Sequence, residues 1–197
     1  MRSAAISQPQ MRNRILEVAE ELFRAHGYSK TTVADIAKAC EMSPANVYRF
    51  FESKSALHEA ITGVVLQRLE ELAQSIARER RPASERLKRL LLETHSFACQ
   101  QYLKDEKVHE IVVKALDEQW AIIDAHIQRI RLLYNRIIED GVRDGEFTVR
   151  DVEEASECVF NAIWVFCHPQ IVAERFAADR GRQATAMGEF LVRALRG

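Results

Sequence analysis

A chain of 197 residues with 47% apolar side chains, seven glycines and four prolines is long enough for a sizeable core and is not a disordered polymer. Its 28 basic and 29 acidic side chains leave a net charge of -1, so any contact with nucleic acid has to be local. The opening MRSAAISQPQ has no apolar stretch of a secretory signal, and no run approaches the ~18 apolar residues of a membrane span, so a cytoplasmic protein without membrane association is expected.

Helical periodicity runs through nearly the whole chain. Ile15, Val18, Ala19, Leu22 and His26 share one face of a first helix that ends before Gly27. Thr32-Val-Ala-Asp35 is a capping box for a short helix through about Ala39, and Ser43-Pro44 opens another after the turn Cys40-Glu41-Met42. Leu57, Ile61, Val65, Leu69, Leu72 and Ile76 then continue the period until RERRPAS breaks it at Pro82. Leu87, Leu90, Leu91, Thr94 and Ala98 mark a helix from about Ser84, and Val108 to Leu116 a short one. Trp120, Ile123, Ile127, Ile130, Tyr134, Ile137 and Ile138 mark a long helix that fades at DGVRDGEF. TVRD at Thr148 reads as a capping box for a helix through Cys167, and the last helix runs from about Gln183 to Leu195. No alternating run of strand length competes, so the chain reads as all-α with about nine helices. The domain boundary is expected inside the Ser53 to Arg81 helix.

The short helices at Thr32 and Ser43, three residues apart, form a helix-turn-helix whose members Ile36, Ala37, Met42 and Val47 are spaced to pack on the first helix. In that motif the second helix enters the major groove. Phe51 is expected inward with Val47, whereas Tyr48 and Phe50 face the groove, where a phenol can bond a phosphate and a ring can meet a thymine methyl. Lys54, behind the Ser53 cap, suits a backbone phosphate. The alternative makes all three rings core and leaves Arg49 and Lys54 as a solvated face.

TTVADIAKACEMSPANVYRFFESKSAL, with ILEVAEELFRAHGYSKTT before it, resembles the DNA-binding segment of the tetracycline-repressor (TetR) family of bacterial regulators over about Arg12 to Ile61. The resemblance implies a three-helix DNA-binding domain over residues 1–55. It further implies a helical domain over residues 56–197 that dimerises and binds a small effector. By position, Thr32, Ser43, Ala45, Asn46, Tyr48 and Lys54 match DNA-contact residues of the family, with Pro44, Arg49 and Phe50 beside them. Glu41 departs from the pattern, which usually has glycine in the turn; a left-handed glutamate there costs roughly 1–2 kcal/mol.

Beyond Ile61 the residues carry the reading. The Thr148 to Cys167 helix is apolar nearly all round, so one side is expected to meet its own domain and the other a second copy. The last helix adds Ala184, Met187, Leu191 and Leu195, with Gly188 permitting close approach, so these two helices are the expected homodimer contact. Polar and aromatic groups recur on apolar faces: His95, Phe97 and Cys99; Trp120 and His126; Phe160, Asn161 and Trp164. Such a set suits an apolar effector cavity with a few polar anchors, or equally an ordinary core. His95 and Cys99, four apart, with His126 make a weak metal-ligand pattern, so no metal is assigned. The four cysteines form no CxxC pair and read as buried reduced thiols. No nucleophile elbow, phosphate loop or HExxH occurs, so neither enzymatic activity nor a cofactor is expected.

The expected function is a dimeric repressor that binds a palindromic duplex operator and leaves it when a small effector binds. Two alternatives stay open: a helical small-molecule-binding protein or enzyme whose helix-turn-helix is only scaffold, and a metal- or thiol-responsive regulator.

Overall fold

The computed structural model describes residues 7–102, 121–174 and 180–197. Among these residues there is no strand, and nine helices account for most of the chain. Two compact units divide within one long helix, the first ending at Val65 and the second beginning at Leu66. The expected helix at Val108 to Leu116 lies outside the described residues.

The first unit contains α1 (Gln8–His26), α2 (Val33–Ala39), α3 (Pro44–Tyr48) and the start of α4 (Lys54–Ala77). Local chemistry sets the start of each of these helices. Ser7 and Gln10 form a reciprocal capping box on α1, and Thr32 and Asp35 form another on α2. Ser43 caps α3 through the Asn46 N–H at 3.3 Å, with Pro44 in its first turn. The Ser53 hydroxyl accepts the Ala56 N–H at 2.9 Å at the start of α4.

The buried face of α1 is Ile15, Leu16, Ala19 and Phe23, a rotation from the expected one, and His26 is exposed. Phe23 lies on that face, its ring packed edge-on to Tyr28 at 5.3 Å and to His58 at 5.9 Å. Glu41 has φ 58°, so the turn between α2 and α3 keeps the left-handed conformation even though glycine is absent. That turn is held by Met42 N–H to the Ala37 carbonyl at 2.9 Å.

In the second unit α5 (Ala83–Tyr102) is central and packs against α6 (Ala121–Arg143), α7 (Val152–Cys167), α8 (Pro169–Glu174) and α9 (Arg180–Arg196). Leu87, Leu90 and Leu91 of α5 meet Ile137 and Ile138 of α6, Ile163 of α7 and Val192 of α9 in one core. Two expectations are corrected here. The cap of α7 is Asp151, whose carboxylate accepts the Glu153 and Glu154 N–H groups at 2.9 and 3.0 Å. Thr148 instead gives its N–H to the Leu195 carbonyl at 2.7 Å, which ties that segment to the end of α9. Gly188 does permit close approach, but to α5 of the same chain: a Cβ there would lie 3.3 Å from Lys88 Cγ.

Glu146 closes the start of α5 from 62 and 63 residues away. Its carboxylate accepts the Ala83 N–H at 2.6 Å, the Ser84 N–H at 3.1 Å and the Ser84 hydroxyl at 2.8 Å. Burial pushes its pKa up, but the Ser84 hydroxyl and the two backbone donors outweigh burial and hold it below the ordinary 4.5. With the folded pKa below the unfolded one, the stabilisation is complete above pH 4.5 and is lost as pH falls through the folded value. Glu146→Ala should therefore lower stability by about 1–2 kcal/mol at neutral pH. Urea unfolding from neutral to acid pH should also show a flatter acid limb; an unchanged limb would assign the loss to packing instead of charge.

Candidate functional site

In the first unit, α3 is pinned by one residue of its own and one just beyond it. Val47 and Phe51 are buried, 1% and 5% exposed, and fix the helix with its remaining side chains outward. Ser43, Pro44, Ala45, Asn46 and Arg49 are exposed, Tyr48 is 50% exposed and Phe50 is half-buried. The three rings thus separate, with Phe51 inside and Tyr48 and Phe50 at the surface. Asn46, Arg49 and Phe50 share a groove of about 420 Å³ with Glu41, Met42 and, from α1, Gln8 and Met11. The α1 residues were not singled out from sequence, because only the crossing of helices distant in the chain brings them to α3.

Thr32 is exposed at the start of α2, its hydroxyl donating to Asp35 Oδ2 at 2.7 Å. That hydroxyl and the Thr32 N–H hold the Asp35 carboxyl below its ordinary range. Lys54 is half-buried: its ammonium donates to the Tyr28 carbonyl and sits 4.1 Å from the Tyr28 ring centroid. It therefore has a structural role alongside any contact with phosphate. Arg12 of α1 lies over the Phe51 ring at 4.9 Å and adds a cation that the sequence pattern had not marked.

In the second unit the interior polar groups gather around α5, α6 and α7. His95 is buried, with Nδ1 2.8 Å from the Phe166 carbonyl, and Cys99 Sγ lies 3.6 Å from its Nε2. Thr94 donates to the Leu90 carbonyl at 2.8 Å and meets Cys167 Sγ at 3.4 Å. Tyr134, 1% exposed, packs edge-on to Phe160 at 6.4 Å, and its hydroxyl neighbours the Thr94 side chain without making a well-formed hydrogen bond among the described residues. Phe160, Trp164 and His168 follow one another as a ring row on α7 and its end, at 5.7 and 5.0 Å. Phe97 is half-buried, Asn161 is exposed on α7, and Trp120 lies outside the described residues.

His126 has other partners. Its Nδ1 is 2.8 Å from Glu70 Oε1, and Arg129 donates to Glu70 Oε2 at 2.7 Å, so α4 and α6 are joined by a buried carboxylate with two bases. Burial lowers the His126 pKa despite that carboxylate. Among the described residues no group of three or more His, Cys, Asp or Glu is placed to hold a metal. Nor do the thiols make a reactive pair. Burial raises the Cys99 pKa and pushes Cys167 up to about 11, which disfavours the nucleophilic thiolate. Cys158, expected to be buried, is exposed on α7.

The chain therefore presents a solvated polar row on a short, firmly seated helix, and in the other unit an interior with orphan and half-buried polar groups. No helix among the described residues is long and apolar enough to cross a membrane. Residues 83–187 match the family described as tetracyclin repressor-like, C-terminal domain, and residues 15–61 match bacterial regulatory proteins, tetR family. The chain is 29% identical over 180 residues to the HTH-type transcriptional regulator QacR of Staphylococcus aureus, across 84% of this chain and 90% of that protein. A TetR/AcrR-family regulator from Thermobifida fusca has a similar fold, with TM-score 0.72 and 22% identity across 94% of this chain and 98% of that one. So does FadR of Bacillus subtilis, solved in complex with stearoyl-CoA, with TM-score 0.65 and 19% identity across 91% and 97%.

Proposed function

This chain belongs to the tetracycline-repressor (TetR) family of transcriptional regulators, and from that premise we propose that it is a homodimeric repressor that reads a palindromic operator with α3 and is released by a small effector. The observation that carries the DNA reading is the division of α3: Val47 is buried, while Ser43, Pro44, Ala45, Asn46, Tyr48 and Arg49 face solvent. Asn46 offers the amide geometry that pairs with adenine N6 and N7, and Arg49 the guanidinium that pairs with guanine or phosphate. Thr32 and Tyr48 supply hydroxyls for phosphates on either side, which set register without reading bases. Selection from random duplexes by the full-length protein tests this. An inverted repeat should emerge; a pool without any enriched palindrome would remove the operator reading.

The effector site proposed lies among α5, α6 and α7 and draws on His95, Phe97, Cys99, Phe160 and Trp164 together with Tyr134, whose ring packs on Phe160. The apolar core there, together with FadR's stearoyl-CoA complex, favours a largely apolar ligand that carries a hydrogen-bond acceptor for Tyr134. Binding shifts the DNA equilibrium only to the extent that the ligand prefers the form that does not fit the operator. At a hundred times its dissociation constant such a ligand raises stability by ~2.7 kcal/mol. Tyr134→Phe removes a hydroxyl that makes no well-formed hydrogen bond, so it should leave the ligand-free unfolding free energy within about 1 kcal/mol of the parent. The same change should cut the ligand-induced rise in a thermal scan. An undiminished rise would take Tyr134 out of the site.

A further inference from the structure

The RERRP turn between α4 and α5 borders an open cleft of about 570 Å³ that the end of α6 completes, lined by six arginines and four acidic residues. Every one of the four acids is already engaged. Glu79 meets Arg81 at 3.4 Å and Arg89 at 2.5 Å, and Asp140 meets Arg86 at 2.9 Å and Arg143 at 2.7 Å. Asp144 pairs with Arg143 at 3.1 Å, and Glu146 is spent on the start of α5. Three guanidinium groups on the wall, Arg78, Arg80 and Arg136, have neither an ion-pair nor a hydrogen-bond partner among the described residues.

We propose that this cleft binds a small polyanion, a metabolite carrying a diphosphate or two neighbouring phosphates. Like charges gathered on one concave wall repel, and an anion with several oxygens relieves that repulsion while accepting paired N–H donors from each planar fork. The cleft has the size of a small-molecule site, yet no aromatic residue lines it, so recognition rests on charge and hydrogen bonds rather than stacking. Its floor is preorganised. Arg86 is buried, 5% exposed, and donates to the Ala77 carbonyl at 2.7 Å and the Arg81 carbonyl at 3.1 Å as well as to Asp140. Because Glu146 already fills the α5 N-terminus, the anion would be held by side chains and not by that helix end. The site is separate from the interior effector site and requires nothing of the DNA reading.

Calorimetric titration of the full-length protein with inorganic pyrophosphate, at roughly physiological ionic strength, tests the site. One saturable event per chain is expected, tighter than for sulfate. Arg136→Ala and Arg80→Ala, both exposed and so harmless to folding, should each weaken it about tenfold. Arg150→Ala, an exposed arginine outside the cleft, should leave it unchanged. No heat at millimolar pyrophosphate would overturn the proposal, as would equal weakening by Arg150→Ala, which signals diffuse attraction. If pyrophosphate fails while Arg136→Ala weakens binding to random duplex DNA, the cleft faces nucleic acid and the small-anion site falls.

Discussion

Raising salt from about 50 to 200 mM should weaken binding to the selected duplex by ~10³–10⁵, the loss expected when two recognition segments together neutralise ~6–10 phosphates. The chain as a whole carries a net charge of -1, so attraction cannot come from a diffuse basic surface. It has to come from cations local to the first unit, Arg12, Arg14, Lys30, Lys38, Arg49 and Lys54 among them, while the hydroxyls around α3 position the duplex without neutralising it. Arg49, exposed and without a side-chain partner among the described residues, is the cleanest probe of that claim. Arg49→Ala should weaken all sequences and reduce the salt slope, whereas Asn46→Ala should blur base preference and leave the slope alone. Lys54→Ala should do more than its charge requires, because it also removes the donor to the Tyr28 carbonyl and the cation on that ring. Its melting temperature should fall along with its affinity, and that pairing separates it from Arg49→Ala. Full affinity of a monomer for a single half-site would defeat the palindrome claim, and a salt-independent complex would defeat the phosphate count.

What sequence made legible in this fold was mostly local. The ends of α2 and α3 are written in residues three positions apart, Thr32 with Asp35 and Ser43 with Asn46, so no distant contact was needed to find them. The strained turn at Glu41 followed from the family pattern, since the backbone conformation is kept while the side chain changes. Thr148 misled for a related reason. A Thr-x-x-Asp spelling is sufficient for a cap only when the threonine backbone is free, and here Leu195, 47 positions on, has taken its N–H.

Site residues were harder to see because their partners are remote in sequence. Glu70 sits in a helix whose apolar period looks undisturbed, and only the fold shows its carboxylate between His126 and Arg129. Tyr134 counted as one more apolar position on α6; burial of its ring was legible, the poor pairing of its hydroxyl was not. Asn161 shows the converse. Its place in the apolar run Val159 to Cys167 suggested an interior anchor, yet the helix turns it outward.

Phe190→Asp should convert dimers to monomers that keep their helical content and stability, while Leu191→Glu should strongly destabilise the second unit. The two neighbours are separated by the face of α9 they occupy. Leu191 is 6% exposed in the single chain, with Val192 and Leu195 in the core that α5 and α7 complete, so it is not free to meet a second copy. A carboxylate there would be buried without a partner, at a cost of ~4 kcal/mol or more, a large share of a domain's stability of about 5–15 kcal/mol. Phe190 is 59% exposed, and Ala186 and Ala194 share its side of the helix at spacings of four. On α7 the corresponding outward row is Cys158, Asn161 and Val165, the last 37% exposed. Exposed apolar side chains on the two helices are what a homodimer contact requires, and the small alanines let a symmetry-related helix come close to the phenyl ring. Sedimentation and circular dichroism on the two variants decide the matter together. Helical monomers for Phe190→Asp alongside a Leu191→Glu variant that melts well below the parent would support the outward row as the contact; an unchanged dimer with aspartate at residue 190 would put the contact on another surface.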